Sequence, residues 1–338
     1  MKYSAIDLHS NNNVLVVTDE SDRVLVEKRL PNDLNRVLEL LAPHRDELAG
    51  VVVEATYNWY WLVDGLMAAG YRVHLANTCA IKTYDGLKHS DDESDARHLA
   101  HLLRLGILRT GYICPPAERA VRDLARRRLQ LVRSRTSHIL SVENQLTRQT
   151  GRHICSNDVK RLNAEAVIAI GLPDDVTRGM TANVAVIQTL NGEIEKLEAR
   201  LLDAVTKTAE WPLLNSIPGV GKVLAIIILL EIGTIGRFPD VGDFASYARC
   251  VDSVRLSNGK KKGEGNTKNG NKYLSWAFVE AAHFAMRFCP EAKRFYAKKF
   301  AKTNGAVATK ALAHKLARAC YHMLKSGQPF DVKRCFAG

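Results

Sequence analysis

No apolar run in this chain approaches the roughly 18 residues that a membrane-spanning helix needs. The longest, residues 223–230, is far too short, and the opening M-K-Y-S-A-I-D lacks the apolar core of a signal peptide. Cysteine is sparse and unpatterned: the seven at 79, 114, 155, 250, 289, 320 and 335 are odd in number and form no C-x-x-C pair. That argues against a disulfide framework or a zinc ribbon and for reduced, mostly structural thiols in a cytosolic protein. No low-complexity tract interrupts the chain, and 46% hydrophobic with 25% charged residues is the composition of a globular protein. Acidic charge is in short supply. Against 48 Lys and Arg stand 36 Asp and Glu, a formal net charge of +12, which points to a polyanionic partner. At 338 residues the chain exceeds one comfortable core, so two domains and a connector are expected.

The chain is organised around residues 89–97, H-S-D-D-E-S-D-A-R. Asp92 and Asp95 stand three apart at the start of an apolar-periodic helix that stops at Gly106, so both lie on one helical face. An acidic first turn also suits the positive end of a helix dipole. Asp7 and Glu54, however, end two apolar strands, where a fold can gather all four acids. Asp91 and Glu93 are neighbours that sequence alone does not separate from Asp92.

Residues 3–8, 14–18 and 24–28 read as an antiparallel meander, and Asn32 or Asp33 caps a helix with Val37, Leu38, Leu40 and Leu41 on its inner side. The run at 51–54 reads as a buried parallel strand ending in Glu54, followed by a helix over 59–69 and a strand over 72–76. Three meander strands followed by α/β alternation is the order of an RNase H-like domain. Residues 117–151 form one long helix whose arginines, at 119, 122, 126, 127, 128, 133, 135 and 148, exceed what solubility needs. Arg122, Arg126, Arg127 and Arg133 are taken as phosphate contacts. A second helix carries Ile187, Leu190, Ile194, Leu197, Leu201 and Ala204 as a heptad seam, so the pair suggests an antiparallel coiled coil that can also join subunits.

A third, helical unit covers 209–338. L-L-N-S-I-P-G-V-G-K before V-L-A-I-I-I-L-L is the pattern of a helix-hairpin-helix. The amides around Gly219, Gly221 and Lys222 can hold a phosphate at the next helix's N-terminus. A short helix is expected over 244–250. The Gly/Asn/Lys segment 255–272 cannot pack a core, and Arg255, Lys260, Lys261, Lys262, Lys268 and Lys272 match a nucleic-acid backbone. Helices over 273–288, 291–302 and 306–326 close the chain. The domain boundaries follow: 1–116, 117–208 and 209–338.

Four carboxylates without His or Cys suit hard Mg²⁺, with Mn²⁺ as a substitute, and two such ions can serve phosphodiester chemistry. The chain resembles the DEDD transposases of insertion sequences, a group with the Piv-type invertase and bridge-RNA-guided recombinases. The likeness spans nearly the whole chain through A-I-D at 5–7, V-V-E-A-T at 52–56, D-x-x-D-A-R at 92–97, S-I-P-G-V-G at 216–221, F-A-S-Y-A at 244–248, R-L-S-N-G at 255–259 and L-K-S-G-Q-P-F-D at 324–331. It departs at Leu8-His9-Ser10, where Lys or a small residue is familiar after the first Asp, and in S-N-G where S-G is familiar.

The resemblance implies a RuvC-like domain holding Mg²⁺ through Asp7, Glu54, Asp92 and Asp95. It also implies a C-terminal transposase domain whose serine, here Ser257, joins a DNA 5′-phosphate. Without the family, Ser253 is an equal candidate. Further implications are a guide RNA encoded by the element, a homodimer or homotetramer on element and target DNA, and a bacterial cytoplasmic location at the nucleoid. The alternatives are a hydrolytic nuclease of the Holliday-junction-resolvase type, using the four acids and water, and a non-catalytic nucleic-acid-binding protein.

Overall fold

The computed structural model describes residues 1–81, 91–252, 255–263 and 269–337. His89, Ser90, Ser253 and Lys268 of the readings above lie outside the described residues. The chain divides into two units, the first built mainly from Met1–Pro116 and the second from the remainder.

The first unit is a mixed α/β sheet. Strands β1 (Lys2–Leu8), β2 (Asn12–Thr18), β3 (Val24–Pro31), β4 (Leu48–Glu54) and β5 (Val73–Ala76) assemble in the order β3-β2-β1-β4-β5. The β1–β2 and β2–β3 pairs are antiparallel, whereas β1–β4 and β4–β5 are parallel. Alternation along each strand separates two faces. Ile6, Leu8, Leu15, Val17, Val51 and Val53 pack on one side with Val37 and Leu41 of α1 (Leu34–Leu41) and Leu62, Val63 and Leu66 of α2 (Tyr60–Ala68). A helix as short as α1 is marginal alone; burying a Leu or Val contributes about 1.5–3 kcal/mol, so packing decides that it forms.

The opposite face is made of smaller residues. Ala5, Val14, Val16, Val52 and Ala76 receive Ala96, Leu99 and Ala100 of α3 (Asp92–Arg104). Alanines on both sides let α3 lie close to the sheet. Asp91 caps this helix: its carboxylate accepts from the Ser94 amide at 2.8 Å, while the Ser94 hydroxyl accepts from the Asp91 amide at 3.0 Å. This reciprocal box removes Asp91 from the candidate ligands.

The second unit is mostly helical. Helices α4 (Pro116–Thr150) and α7 (Asp174–Val205) run antiparallel, as the Arg135–Asn191 and His138–Asn183 contacts, both 2.8 Å, require. Ile139, Val142 and Leu146 pack against Met180, Val184 and Ile187, closed over by Val159 and Val167 of two short helices, α5 (Ser156–Val159) and α6 (Ala164–Ile168). These two occupy a stretch read as irregular from sequence.

Helices α8 (Glu210–Asn215), α9 (Lys222–Ile232), α10 (Val241–Tyr247), α11 (Lys272–Phe288), α12 (Pro290–Phe300), α13 (Gly305–Ser326) and α14 (Val332–Phe336) complete the unit. Leu224, Ile227, Phe244, Phe278, Leu312 and Leu316 sit at the centre of their core. Helix α10 begins three residues earlier than the pattern suggested because Asp240 caps it, accepting from the Asp243 amide at 2.8 Å. The segment read as a bare loop contains a two-stranded hairpin, β6 (Arg255–Ser257) and β7 (Lys260–Gly263). Asn258 and Gly259 turn it with φ of 50° and 70°, the paired left-handed conformation of a two-residue hairpin. Asn-Gly is the strongest local signal for such a turn. Among the described residues no helix is long and apolar enough to cross a membrane.

Candidate metal centre and nucleic-acid surface

Parallel pairing of β1 with β4 matches Ile6 to Val53, so Asp7 and Glu54 follow side by side at adjacent strand ends. Both belong to the face that α3 covers. Asp7 is 4% exposed, and Glu54 is hydrogen-bonded to it. Burial, that hydrogen bond and the charges of Asp7 and Asp95 push the Glu54 carboxyl up to about 8. Buried, bonded to Asp7 and repelled by the charge of Asp95, Glu54 keeps its proton at neutral pH unless a cation offsets that charge.

Asp92, one turn N-terminal to Asp95 on α3, takes a different set of partners. Its Oδ2 accepts from Arg29 Nη2 at 2.7 Å and lies 3.2 Å from His9 Nε2. The Arg29 hydrogen bond, against some burial, holds this carboxyl below its ordinary value, with His9 adding to the effect. Arg29 is in register with Val14, itself opposite Asp7, so Asp7, Val14 and Arg29 form one row across the sheet. Glu93 sits 3.4 Å from the same guanidinium and contributes to anchoring Arg29. The structure therefore brings Asp7, Glu54 and Asp95 into one electrostatic cluster. It sets Asp92 beside Asp7 through a shared neighbour, His9, whose Nε2 is 3.3 Å from Asp7 Oδ2.

His9 and Arg29 were not identified as site residues from sequence. A usable signal existed for His9, because alternation places a residue two beyond Asp7 on the same face. Its carbonyl accepts from Asn32 Nδ2 at 3.0 Å and Asn58 Nδ2 at 2.9 Å, which pins the turn. The donor set, carboxylate oxygens with one imidazole, fits a divalent cation: Asp7, His9 and Asp92 each offer an atom within 4.8 Å of the others'.

In the second unit Ser257 is exposed at the end of β6, opposite Lys260 in the hairpin register. Lys260 and Lys262 are exposed, and Arg255 and Lys261 lie in the paired strands. Lys272 is exposed at the first turn of α11, with its ammonium 5.3 Å from the Tyr273 ring centre. On α4, Arg127 and Arg133 face solvent, whereas Arg122 is half-buried beside Asp123.

Arg126 is committed elsewhere. Its guanidinium makes paired hydrogen bonds of 2.6 and 2.7 Å to buried Glu231 and lies 4.6 Å above the Tyr273 ring. Asn271 Nδ2 donates to the same carboxylate at 2.7 Å. Although burial opposes its charge, the hydrogen bonds and charge of Glu231 hold Arg126 above the ordinary arginine value. This side chain is built into the fold.

The Pro-Gly-Val-Gly turn also divides its roles. Gly219 has φ +85°, and a Cβ there would meet the Ala281 carbonyl at 2.3 Å and the Ala285 amide at 2.5 Å. It is the point where the turn touches α11. Gly221, by contrast, is open to solvent as the N-cap of α9, has no side-chain cap, and leads into exposed Lys222. Both residues at the start of α9, Gly221 and Lys222, are thus exposed.

An acid-lined sheet edge in one unit and basic surface elements in the other fit the class of DNA transposases, and the comparisons with known proteins agree. Residues 5–150 match the profile of the DEDD transposases of IS110, and residues 212–297 match that of the IS116/IS110/IS902 transposases, together about two thirds of the chain. The chain belongs to the IS110/IS116/IS902 family of insertion-sequence transposases. It is 24% identical to the IS117 mini-circle transposase candidate of Streptomyces coelicolor over 99% of this chain and 96% of that protein. It is 23% identical to a family 20 transposase candidate of Pseudomonas aeruginosa over 81% and 83%, respectively. A third relative, the 43.6 kDa protein of IS110 in Streptomyces coelicolor, is 26% identical over 48% of this chain, which spans 40% of that relative.

Proposed function

We propose that this chain moves an insertion sequence by cutting and rejoining DNA through a serine-linked intermediate, with the aid of a divalent-cation centre. The observation that carries the reading is the cluster of Asp7, Glu54 and Asp95, with Asp92 alongside, in which Glu54 is pushed up to about 8. Such crowding is costly in a fold unless a cation belongs there. In this reading the first unit is RNase H-like, of the RuvC type. The mixed sheet order supports it, with three antiparallel strands leading into parallel ones. Asp7, Glu54, Asp92 and Asp95 hold Mg²⁺, or Mn²⁺ in its place. When bound, the cation neutralises phosphate charge and lowers the pKa of an attacking oxygen.

Ser257 is the nucleophile. Its hydroxyl oxygen bonds to phosphorus as the bond from phosphorus to the 3′ oxygen breaks; the serine gives up one proton and the departing 3′ oxygen gains one. The 5′-phosphate remains esterified to the serine, so the backbone bond is kept in exchangeable form. Lys260, opposite Ser257 in the hairpin register, and Lys262 on the same strand neutralise the phosphate. The amides of exposed Gly221 and Lys222 hold a neighbouring phosphate, as in a helix-hairpin-helix. Arg127 and Arg133 offer a face for RNA encoded by the element, which supplies target choice by base pairing. Residues 117–208 serve as a connector between the domains 1–116 and 209–338, and exchange between two duplexes calls for a dimer or tetramer.

The test is a covalent-adduct assay with the full chain, element RNA, and labelled junction and target DNA, in Mg²⁺ or EDTA. An adduct that needs Mg²⁺ and is lost in both Ser257→Ala and Asp92→Ala supports the proposal. Cleavage without adduct that survives Ser257→Ala replaces it with a hydrolytic nuclease.

A further inference from the structure

His9 Nε2 lies 3.3 Å from Asp7 Oδ2 and 3.2 Å from Asp92 Oδ2, between two of the acids. The ring edge reaches solvent, but the Nε2 atom itself is buried and makes no aligned hydrogen bond to either oxygen. A bridging imidazolium would point its N–H at one of them. Two oxygens off the axis of a buried ring nitrogen, each a little over 3 Å away, match another arrangement. Adjacent donors around one cation with bonds of about 2.1 Å stand about 3 Å apart. The His9 backbone is held in place by Asn32 and Asn58, both donating to its carbonyl, so the ring is presented by a fixed turn.

We infer that His9 is a nitrogen ligand of the divalent cation, which makes this a mixed nitrogen–oxygen centre. The inference rests on the metal-centre reading above and deepens it. Imidazole is a poorer partner for Mg²⁺ than carboxylate, water or phosphate, and a better one for the later divalent ions. The centre therefore favours Mn²⁺ over Mg²⁺ more strongly than four carboxylates alone would.

The test uses the full-length, untagged chain with Mn²⁺ as probe. Electron spin-echo modulation detects ¹⁴N coordinated to the ion, and competition with Mg²⁺ gives relative affinities. Wild type is expected to bind Mn²⁺ with ¹⁴N modulation. His9→Ala and the bulk-retaining His9→Gln are expected to lose the modulation. They should also bind Mn²⁺ at least about tenfold more weakly, the cost of losing even an outer-shell partner of a ligand. Mg²⁺ affinity should change less. Asp7→Asn separates this centre from adventitious histidine sites, and circular dichroism checks that each variant is folded. Binding that depends on Asp7 but shows no ¹⁴N modulation in wild type, or keeps it in both His9 variants, overturns the role of His9 and leaves a carboxylate centre. Absence of any Asp7-dependent Mn²⁺ binding overturns the metal centre itself.

Discussion

Replacing Arg126 by alanine separates two meanings of an arginine-rich helix. If Arg126 serves the fold, its loss leaves Glu231, whose side chain is 1% exposed, as a buried charge with Asn271 as a remaining hydrogen-bond donor. Removing one partner of a buried pair costs about 3–5 kcal/mol. Arg126 is 29% exposed, so the lower end applies, about 3 kcal/mol. At roughly 2–4 °C per kcal/mol for a unit of this size, melting should fall by roughly 6–12 °C. Arg127→Ala, at the exposed next position, should move it by no more than about 2 °C, as surface changes do. The assay is thermal unfolding followed at 222 nm, where the helical second unit dominates. Arg126→Met combined with Glu231→Gln removes both charges and should recover most of the loss, since the penalty lies in the unpaired carboxylate. A melting temperature for Arg126→Ala equal to that of Arg127→Ala, with nucleic-acid binding weakened, would refute the structural role and restore Arg126 to the phosphate surface.

Further expectations rest on single contacts. Glu54 keeps its proton up to about 8 in the metal-free fold but releases it near 4.5 when unfolded, so its contribution to stability is present below 4.5 and lost as pH rises toward 8. Cation binding at pH 7 should correspondingly release a proton, read by calorimetry in buffers of different ionisation enthalpy; no release refutes the shared-proton account. Gly219→Ala places a methyl group against the α11 backbone at positive φ and should destabilise by about 2–4 kcal/mol, whereas Gly221→Ala, in open space, should cost under about 1 kcal/mol. Equal melting temperatures for the two would refute the close-packing argument. Lys260→Gln and Lys262→Gln should each reduce the slope of log affinity against log salt by about one, and an unchanged slope removes that lysine from the DNA surface.

These expectations also mark where the sequence is a sufficient guide. Strands that alternate, and helices with caps such as Asp33 and Asp91, carry their own local signals, whereas the Asp240 cap stands ahead of the apolar pattern of α10 and moves the start of that helix. Among the candidate acids, Asp7 and Glu54 were legible because each stands at the end of an apolar strand, and parallel pairing of β1 with β4 sets them side by side; Asp92 and Asp95 were legible because they open an apolar-periodic helix. The Asn258–Gly259 hairpin had a local signal too, but lysines and glycines around it mimic a loop. Arg126 is different in kind. Nothing within one helical turn distinguishes it from Arg127; its partner Glu231 lies 105 residues away. Gly219 reads as part of a phosphate-binding turn until α11 arrives against its backbone. His9 reads as a turn residue until α3 lays Asp92 over it. Local chemistry thus names which residues are able to bind a cation or a phosphate, while long-range register decides which of them are left free to do so. For a basic chain this matters most, because a charge turned inward and a charge offered to DNA look the same in sequence and differ only in the residue that meets them.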